Sequence, residues 1–437
     1  MSANSPTTVS ADAAPPRVAI LFQRFGPYHH ARLNAAGQVL SVWGLEACAT
    51  EDTYAWDQVA GATAFTRVTL TERSSDDRQW KQELHRKLWQ ALAEIRPQVV
   101  VVPGWASPDA LSALAWCVKT GTPAVVMSES TVWDEPRVAW KEWLKGRLVK
   151  LCAAGLAGGT PHADYLVQLG LPRENIFLGY DIVDNGYFAA RAAAAGKRPG
   201  LPEKYFLASA RFIEKKNLFR LIQAYGRYRT LAAPTAPWDL VLLGDGPLKP
   251  EIVRQIADAG LQSCVHLPGF RQYDALPEYF GRASAFVHAS TTEQWGLVVN
   301  EAMASGLPVL VSHRCGCAAD LVAEGVNGFT FDPAAVEQLA QLMLKISDAR
   351  FPLAAFGAES RRIISAWGPE RFASGLRQAV TVALQNPRRR SGWLDRLLLT
   401  LLCARDATQW FVRPLDAYEI SSLCICSCVY RIESYLR

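Results

Sequence analysis

Two basic and two acidic residues in the second half of the chain have the types and spacing expected of a ligand-binding site. Arg211 and Lys216 lie in ARFIEKKN, directly after the apolar run YFLAS, and Glu293 and Glu301 are eight residues apart. Two cations beside a helix N-terminus can bind a diphosphate without a metal, although a basic loop alone is also typical of a solvated surface. A carboxylate within an apolar helix, as predicted for Glu301, needs a polar partner such as a pair of sugar hydroxyls, because unpaired burial is costly.

The segments around these residues add backbone donors and exclude other chemistries. The predicted helix start around Gly296, Leu297 and Val298 offers free N–H groups to a phosphate or a sugar hydroxyl. The motif GDGPL, at residues 244–248, is interpreted as a plain strand-to-helix connection. The chain contains no G-x-G-x-x-G after its first strand, no G-x-x-x-x-G-K-[ST] and no Asp-x-Asp. These absences argue against a nicotinamide enzyme, a P-loop phosphotransferase and a site in which paired carboxylates hold a metal.

Short apolar runs separated by helical segments predict the elements that position these residues. The runs cover residues 17–22, 98–102 and 123–128 in the first half and 205–209, 239–244, 264–269, 285–290, 308–312 and 327–331 in the second. This alternation is typical of parallel sheets covered on both faces, so the predicted fold class is α/β, with two doubly wound domains facing a cleft. Ligands in such folds lie beyond the carboxyl ends of the strands.

The same patterns predict the domain limits. We expect a disordered leader over residues 1–16, a first domain over 17–185, a linker rich in Ala, Gly and Pro over 186–200, a second domain over 201–387 and a basic amphipathic extension over 388–437. Asp332 and Pro333 are predicted to start a helix after the last strand.

Composition and charge exclude several classes of protein. The 437 residues are 50% hydrophobic and carry a net charge of +5, too small to indicate nucleic-acid binding. Ten cysteines without paired spacing do not indicate a secreted disulfide framework. The N-terminus lacks signal-peptide features and no apolar stretch reaches membrane-spanning length, so a cytoplasmic location is predicted. His313, Cys315 and Cys317 lack a fourth ligand, and no metal site is predicted.

In combination, Glu293-x7-Glu301, the Arg211 and Lys216 loop, GDGPL and the run from LPGF to GVNGFTF resemble the donor domain of family-4 retaining glycosyltransferases of the GT-B fold. The resemblance is dense over residues 200–335 and looser in the first half. It implies that Arg211 and Lys216 hold the diphosphate of a nucleotide sugar, that Glu301 binds the ribose and that Glu293 binds the donor sugar. Backbone amides near Gly296, Leu297 and Val298 would complete these contacts, with no cofactor and no metal.

The implied activity is transfer of a hexose from a nucleotide diphosphate sugar to a hydroxyl acceptor, in glycan, polysaccharide or glycolipid synthesis. Two alternatives stay open: a nucleotide-sugar epimerase of the same fold, and a non-catalytic partner subunit that binds nucleotide sugar. An epimerase would convert the donor without an acceptor. The intact set of Arg211, Lys216, Glu293 and Glu301 argues against the non-catalytic alternative.

The first half departs from the family pattern at one position. Many relatives carry a histidine after a mid-domain strand, where this chain reads VVMSEST with Glu129. Glu129, His29 or His30 is predicted to replace that histidine, although the two histidines equally fit a surface position at a helix start. Gly26 is predicted to form a turn that lets the backbone approach a phosphate. His162, in GGTPH, is predicted to line the cleft.

The C-terminal extension combines basic and apolar residues. Arg388, Arg389, Arg390 and Arg396 flank Trp393 and the run LLLTLL. Such a segment could lie in a membrane interface, next to a lipid-linked acceptor, without spanning the bilayer. The alternative is a C-terminal helix packed on the domains through its leucines.

Overall fold

The computed structural model describes residues 14–50, 63–75, 77–196, 200–232, 236–386 and 391–404. Within these ranges the chain forms a seven-stranded and a six-stranded sheet, and every strand pair is parallel. Hydrophobic clusters cover both faces of each sheet. The predicted fold class, two doubly wound α/β domains, is confirmed.

The first sheet has the strand order β3-β2-β1-β4-β5-β6-β7. Its strands are β1 (Arg17–Phe22), β2 (Ser41–Thr50), β3 (Thr66–Arg73), β4 (Val99–Pro103), β5 (Ala124–Ser128), β6 (Ala154–Ala157) and β7 (Ile176–Leu178). Its helices are α1 (Pro27–Gly37), α2 (Arg78–Ile95), α3 (Pro108–Thr120), α4 (Ala139–Val149) and α5 (Thr160–Gln168). The predicted runs correspond to β1, β4 and β5. Strands β2 and β3 were not predicted because they carry Glu46 and several threonines and arginines instead of a continuous apolar run, and β6 and β7 were not predicted because they are only four and three residues long.

The second sheet has the strand order β10-β9-β8-β11-β12-β13. Helix α6 (Asn185–Ala193) precedes it, and its strands are β8 (Tyr205–Ser209), β9 (Asp239–Leu243), β10 (Val265–Gly269), β11 (Ala285–His288), β12 (Val309–Ser312) and β13 (Gly328–Phe331). Its helices are α7 (Leu218–Ala232), α8 (Lys249–Asp258), α9 (Leu276–Arg282), α10 (Leu297–Ala304), α11 (Ala318–Leu321), α12 (Val336–Ser347) and α13 (Leu353–Ile364). These six strands match the six apolar runs of the second half.

Two connections between the domains differ from the predicted boundaries. Most of the segment predicted as a linker is helix α6, which Asp184 caps by accepting a hydrogen bond from the Tyr187 N–H at 2.9 Å. Helix α14 (Pro369–Gln385) lies within the range predicted for the second domain, but Phe372 and Leu376 are buried in the core of the first. Alanine favours helix over flexible linker, and the apolar face of α14 is buried against the first sheet and helix α1.

Two smaller predictions concern helix starts and the leader. The helix expected to start at Asp332 begins instead at Val336, because the Asp332 carboxylate accepts the Ala334 N–H in a preceding turn. The predicted leader lies outside the described residues over positions 1–13.

The described part of the C-terminal extension packs on the first domain. Helix α15 (Trp393–Ala404) buries Leu399 and Leu402 in the core that also contains α3. Arg147 of α4 forms a 2.6 Å ion pair with Asp395. Residues 388–390 and 405–437 lie outside the described residues. Over the residues that the structure describes, no helix has the length and apolar character needed to cross a bilayer. The packed-helix alternative therefore holds for residues 393–404.

The strand orders determine where loops can form a site. The order reverses between β1 and β4 in the first sheet and between β8 and β11 in the second. Loops that leave adjacent strands in opposite directions open a crevice at the carboxyl edge. The loops after β8 and β11 carry the basic and acidic residues singled out above.

Candidate functional site

The loop after β8 is shaped by the GDGPL turn after β9. Gly244 has a φ of +127°, and a Cβ there would lie 1.8 Å from the Ala210 carbonyl oxygen. The Phe212 N–H donates to the Asp245 carbonyl at 2.8 Å. The turn therefore presses on the loop that carries the exposed Arg211 side chain. The glycines of the GDGPL turn therefore help to position Arg211, which is predicted to bind a phosphate. The interpretation of GDGPL as a plain strand-to-helix connection did not include this role.

Glu293, after β11, lies in a cluster of cationic and polar groups. Its carboxylate pairs with the Lys216 ammonium and, at 3.5 Å, with that of Lys215. Ser290 Oγ donates to it at 3.3 Å and His288 Nε2 lies 3.6 Å away. Burial opposes ionisation, but the contact with His288 and the two lysine charges outweigh it and hold the pKa of Glu293 well below its ordinary value. Glu293 is therefore a fixed anion at neutral pH.

Glu301, on α10, has the opposite electrostatic setting. The residue is 0% exposed, and its Oε1 accepts a 2.5 Å hydrogen bond from the Tyr28 hydroxyl of the first domain. Its Oε2 is buried without a hydrogen-bond partner. Burial raises the pKa of Glu301 to about 8, against the smaller opposing effect of the Tyr28 hydrogen bond. The carboxyl is mostly protonated at neutral pH, and its Oε2 is the oxygen that a ligand could hydrogen-bond.

Helix α10 begins at Leu297, two residues later than the predicted start near Trp295. Gly296 precedes it with a φ of +106°, which favours glycine. The N–H groups of Leu297 and Val298 belong to the first helical turn, which has no intrahelical acceptors for them. The predicted backbone donors therefore lie a few residues from Glu293 at the same carboxyl edge.

His162 is an interdomain contact and not an open cleft residue. It is 0% exposed, and its Nδ1 accepts the Gly159 N–H at 3.0 Å. Nε2 therefore carries the proton, and it donates to the Gln294 carbonyl of the second domain at 2.8 Å. Both ring nitrogens are occupied, so the predicted substrate contact of His162 is replaced by a contact that holds the segment next to Glu293.

Two further pairs join the domains around this segment. Thr160, at the start of α5, donates from its N–H and Oγ1 to Asp320 at 2.8 and 2.6 Å. Trp133 Nε1 donates to the Arg314 carbonyl, and Arg314 Nη2 donates to the Trp133 carbonyl, each at 3.3 Å. The first domain therefore contacts segments of the second domain that lie next to Glu293, whose N–H donates to the Arg314 carbonyl at 3.2 Å.

Glu129 follows β5 and faces a charged cluster at the cleft. Burial and the nearby Asp181 carboxylate raise the pKa of Glu129 to about 8, and the Glu293 charge adds to this, while Arg32 and Lys215 oppose it. Arg32 and Asp181 are themselves buried and form a 3.3 Å ion pair. The Glu129 carboxyl of the first domain therefore lies close enough to Glu293 of the second domain for the two charges to interact.

The turn at Gly26 is closed by the histidine that follows. The Gly26 N–H donates to His29 Nδ1 at 3.1 Å, so this amide is not free for a phosphate. Its φ of −118° is ordinary extended backbone that requires no glycine. Burial lowers the pKa of His29 to about 3, so the ring is neutral. His30 instead packs edge-on against Phe65, 5.7 Å between ring centroids, and points into the first domain.

The segment with His313, Cys315 and Cys317 is part of the fold. Cys315 and Cys317 are buried in the second domain's core, and His313 Nδ1 lies 3.1 Å from the Phe331 carbonyl oxygen. Across the residues described by the structure, no group of three or more His, Cys, Asp or Glu side chains is arranged to hold a metal.

Three site residues escaped the sequence analysis. Lys215 stands next to Lys216, so the basic loop itself was its signal. His288 lies within the predicted strand over residues 285–290 and is the last residue of β11, five residues before Glu293. Tyr28 had no local signal, because its partner Glu301 is 273 residues away.

Part of the chain matches a known protein family. Residues 194–363 match the family model described as Glycosyl transferases group 1. The amylovoran biosynthesis glycosyltransferase AmsK of Erwinia amylovora is 29% identical over 188 residues, 42% of this chain and 44% of that protein. The chain spans about half or less of the length of the first curated relatives it matches.

Solved structures share the fold over most of the chain. Anabaena Alr3699/HepE in complex with UDP and glucose has a TM-score of 0.64 at 18% identity and covers 83% of this chain and 98% of its own. Sucrose-phosphate synthase from Thermosynechococcus elongatus has a TM-score of 0.65 at 18% identity, over 83% of this chain and 97% of its own. The two-domain arrangement is therefore the GT-B fold.

We predict that Glu301→Gln stabilises the protein increasingly as pH rises. The folded pKa of Glu301 is about 8, whereas an exposed glutamate titrates at about 4.3. The contribution of this group is fully present below the lower value and is lost as pH rises through the upper one, by a few kcal/mol at most. Glutamine has no such loss, so the difference in melting temperature should grow between about pH 4 and pH 8 and stay constant above that.

Thermal unfolding of both proteins at several pH values measures this difference. Glu251→Gln, at an exposed position on α8, is the matched control and should give a pH-independent difference. A pH-independent difference for Glu301→Gln as well would contradict the raised pKa.

Proposed function

Because residues 194–363 form a group 1 glycosyltransferase domain, we propose that the chain moves a hexose from a nucleotide diphosphate sugar to a hydroxyl acceptor with retention of anomeric configuration. The observation that carries this proposal is the ionised Glu293, held by Lys215 and Lys216 beside the N-terminus of α10. The Glu293 carboxylate can accept hydrogen bonds from sugar hydroxyls, and the lysines and free amides can bind a diphosphate. A nucleotide diphosphate sugar carries both of these groups.

The diphosphate is the leaving group, and its charge must be stabilised as the sugar departs. The exposed Arg211, the two lysines and the first amides of α10 converge on the same carboxyl edge. Preorganised donors of this kind stabilise developing negative charge at little reorganisation cost. Because protein cations supply this charge, the proposed reaction needs no metal.

In this proposal the carboxyl groups of the cleft bind the ribose and the transferred sugar of the donor. In the proposed complex, Glu301 accepts hydroxyls of the nucleotide ribose, which supply the partner that its Oε2 lacks. Glu293 accepts hydroxyls of the transferred sugar. Glu129, with a pKa of about 8, is protonated at neutral pH and donates to that sugar from the first domain, in place of the histidine of many relatives.

The acceptor belongs to polysaccharide or glycolipid synthesis in this proposal. The relative AmsK is named for amylovoran biosynthesis, and another relative is an alpha-monoglucosyldiacylglycerol synthase of Acholeplasma laidlawii, 28% identical over 150 residues. Two exposed tryptophans, Trp143 (52%) and Trp393 (77%), lie on helices joined by the Arg147–Asp395 pair. Tryptophan beside basic residues suits a membrane interface, so a membrane-bound acceptor is proposed.

We predict that Arg211→Ala and Lys216→Ala each weaken binding of nucleoside diphosphates more than tenfold. Each change removes a charge-assisted contact worth roughly 1.5–3 kcal/mol. Calorimetry with uridine, adenosine and guanosine diphosphates measures the affinities. Lys249→Ala removes a lysine that pairs with Asp245 in the GDGPL turn and should leave them unchanged. Unchanged affinity in both site variants would remove the phosphate site.

The two glutamates should separate binding from turnover. Glu301→Ala should weaken the sugar-free nucleotide, because its proposed partner is the ribose. Glu293→Ala should spare nucleotide affinity and depress turnover, because its proposed partner is the transferred sugar. Incubation with a panel of nucleotide sugars, followed by release of nucleoside diphosphate and by NMR of the product's anomeric configuration, measures turnover and tests retention.

The same assay tests the alternatives. Turnover should persist in EDTA and should need an acceptor or water. Conversion of the sugar within an intact donor would indicate an epimerase, and nucleotide binding without turnover would indicate a non-catalytic subunit. Equal loss of nucleotide affinity in both glutamate variants would refute the division of roles.

We predict that the wild-type protein co-sediments with phosphatidylserine vesicles at low salt and is released as salt rises. Each basic residue near such a surface contributes about 1 kcal/mol. The double variant Trp143→Ser, Trp393→Ser should bind less, because it loses apolar insertion while α15 stays packed. Phe270→Ser, at an exposed position in the second domain, is the control. Equal sedimentation of wild type and double variant would favour a soluble acceptor.

A further inference from the structure

The carboxyl group of Glu301 is closed off from solvent. The residue is 0% exposed, and its Oε2 has no hydrogen-bond partner. A ligand cannot contact a carboxyl that solvent cannot reach, so whatever covers this group must move before a ligand binds. An orphaned buried oxygen is also costly, and a ligand that donates a hydrogen bond would relieve that cost.

The cover comes from the other domain. The Tyr28 hydroxyl, at the start of α1, donates to Glu301 Oε1 at 2.5 Å. The Tyr28 ring meets Tyr273 edge to face at 5.7 Å, and Tyr273 stacks on Tyr187 at 4.8 Å. Tyr187 lies in the first turn of α6, where the chain crosses between the sheets. A row of tyrosines thus links Glu301 to the interdomain connection.

We propose that Tyr28 is a plug that occupies the ribose subsite in the donor-free protein. Its hydroxyl stands where a ribose hydroxyl donates to Glu301, so a nucleotide displaces it on binding. This inference rests on the proposed function in one respect, the role of Glu301 as the ribose contact. Because the plug belongs to the first domain, donor entry breaks a hydrogen bond between the domains and is coupled to their separation at this point.

The chemistry of the subsite specifies the ligand that removes the plug. A vicinal diol offers two hydroxyls: one donates to the oxygen that Tyr28 leaves, and the other pairs with the unpartnered Oε2, which donates when the carboxyl is protonated and accepts when it is ionised. A single hydroxyl replaces Tyr28 and leaves Oε2 orphaned. Ribonucleoside diphosphates should therefore bind much more tightly than their 2′-deoxy counterparts.

Calorimetry and stopped-flow binding of uridine diphosphate to the full chain test the plug. Tyr28→Phe removes the competing hydroxyl and keeps the ring, so affinity should rise roughly tenfold, the scale of one hydrogen bond to an ionisable group, with faster association. Tyr187→Phe, in the same row but without a contact to Glu301, should match wild type. In a Glu301→Ala background the gain from Tyr28→Phe should disappear, because the carboxyl oxygen that the two hydroxyls compete for is absent.

The outcomes separate this inference from the proposed function. If wild type binds the nucleotide and Glu301→Gln weakens it, but Tyr28→Phe binds equally or less tightly, the plug is wrong and the donor site stands. A 2′-deoxynucleotide that binds as well as its ribonucleotide would instead overturn the ribose contact of Glu301, on which the plug rests. If neither wild type nor Tyr28→Phe binds uridine, adenosine or guanosine diphosphate, the donor site itself is wrong.

Discussion

The ion pair between Glu293 and Lys216 is the interaction on which the site depends. The carboxylate comes from the loop after β11 and the ammonium from the loop after β8, two strands that pair directly at the reversal of strand order. The pair therefore links the two loops that follow β8 and β11 at the carboxyl edge of the second sheet. Removal of Lys216 would leave the largely buried Glu293 carboxylate with Lys215, 3.5 Å away, as its remaining lysine partner, and reduced compensation of a buried charge is costly.

The first domain acts on this edge mainly through backbone contacts. His162 binds the carbonyl of Gln294 and Trp133 binds that of Arg314, so two of the contacts beside Glu293 are made to backbone carbonyls of the second domain. Thr160 adds a two-hydrogen-bond contact to Asp320. Positioning of this kind requires both domains, so the complete site exists only where the sheets approach each other.

Three glutamates of the cleft show how environment sets protonation. Glu293 stays ionised because cations surround it. Glu301 and Glu129 have pKa values of about 8, mainly because burial removes water from the charged form. Glutamate thus supplies one carboxylate and two neutral carboxyl groups within a single cleft. The carboxylate can only accept hydrogen bonds from hydroxyl groups, whereas a neutral carboxyl can also donate one.

The sequence by itself determined the fold class, the strands of the second domain and the side chains at its carboxyl edge. Buried parallel strands are continuous apolar runs, and the residues that follow them must lie at one edge. It did not reveal β2 and β3, whose partly polar strands lack that signal, or the return of α14 to the first sheet. Only the tertiary structure decided that Tyr28 meets Glu301, that His162 holds Gln294 and that Gly26 gives its amide to His29. Hydrogen bonds between distant segments depend on how the two sheets are placed, and local sequence patterns carry no record of that placement.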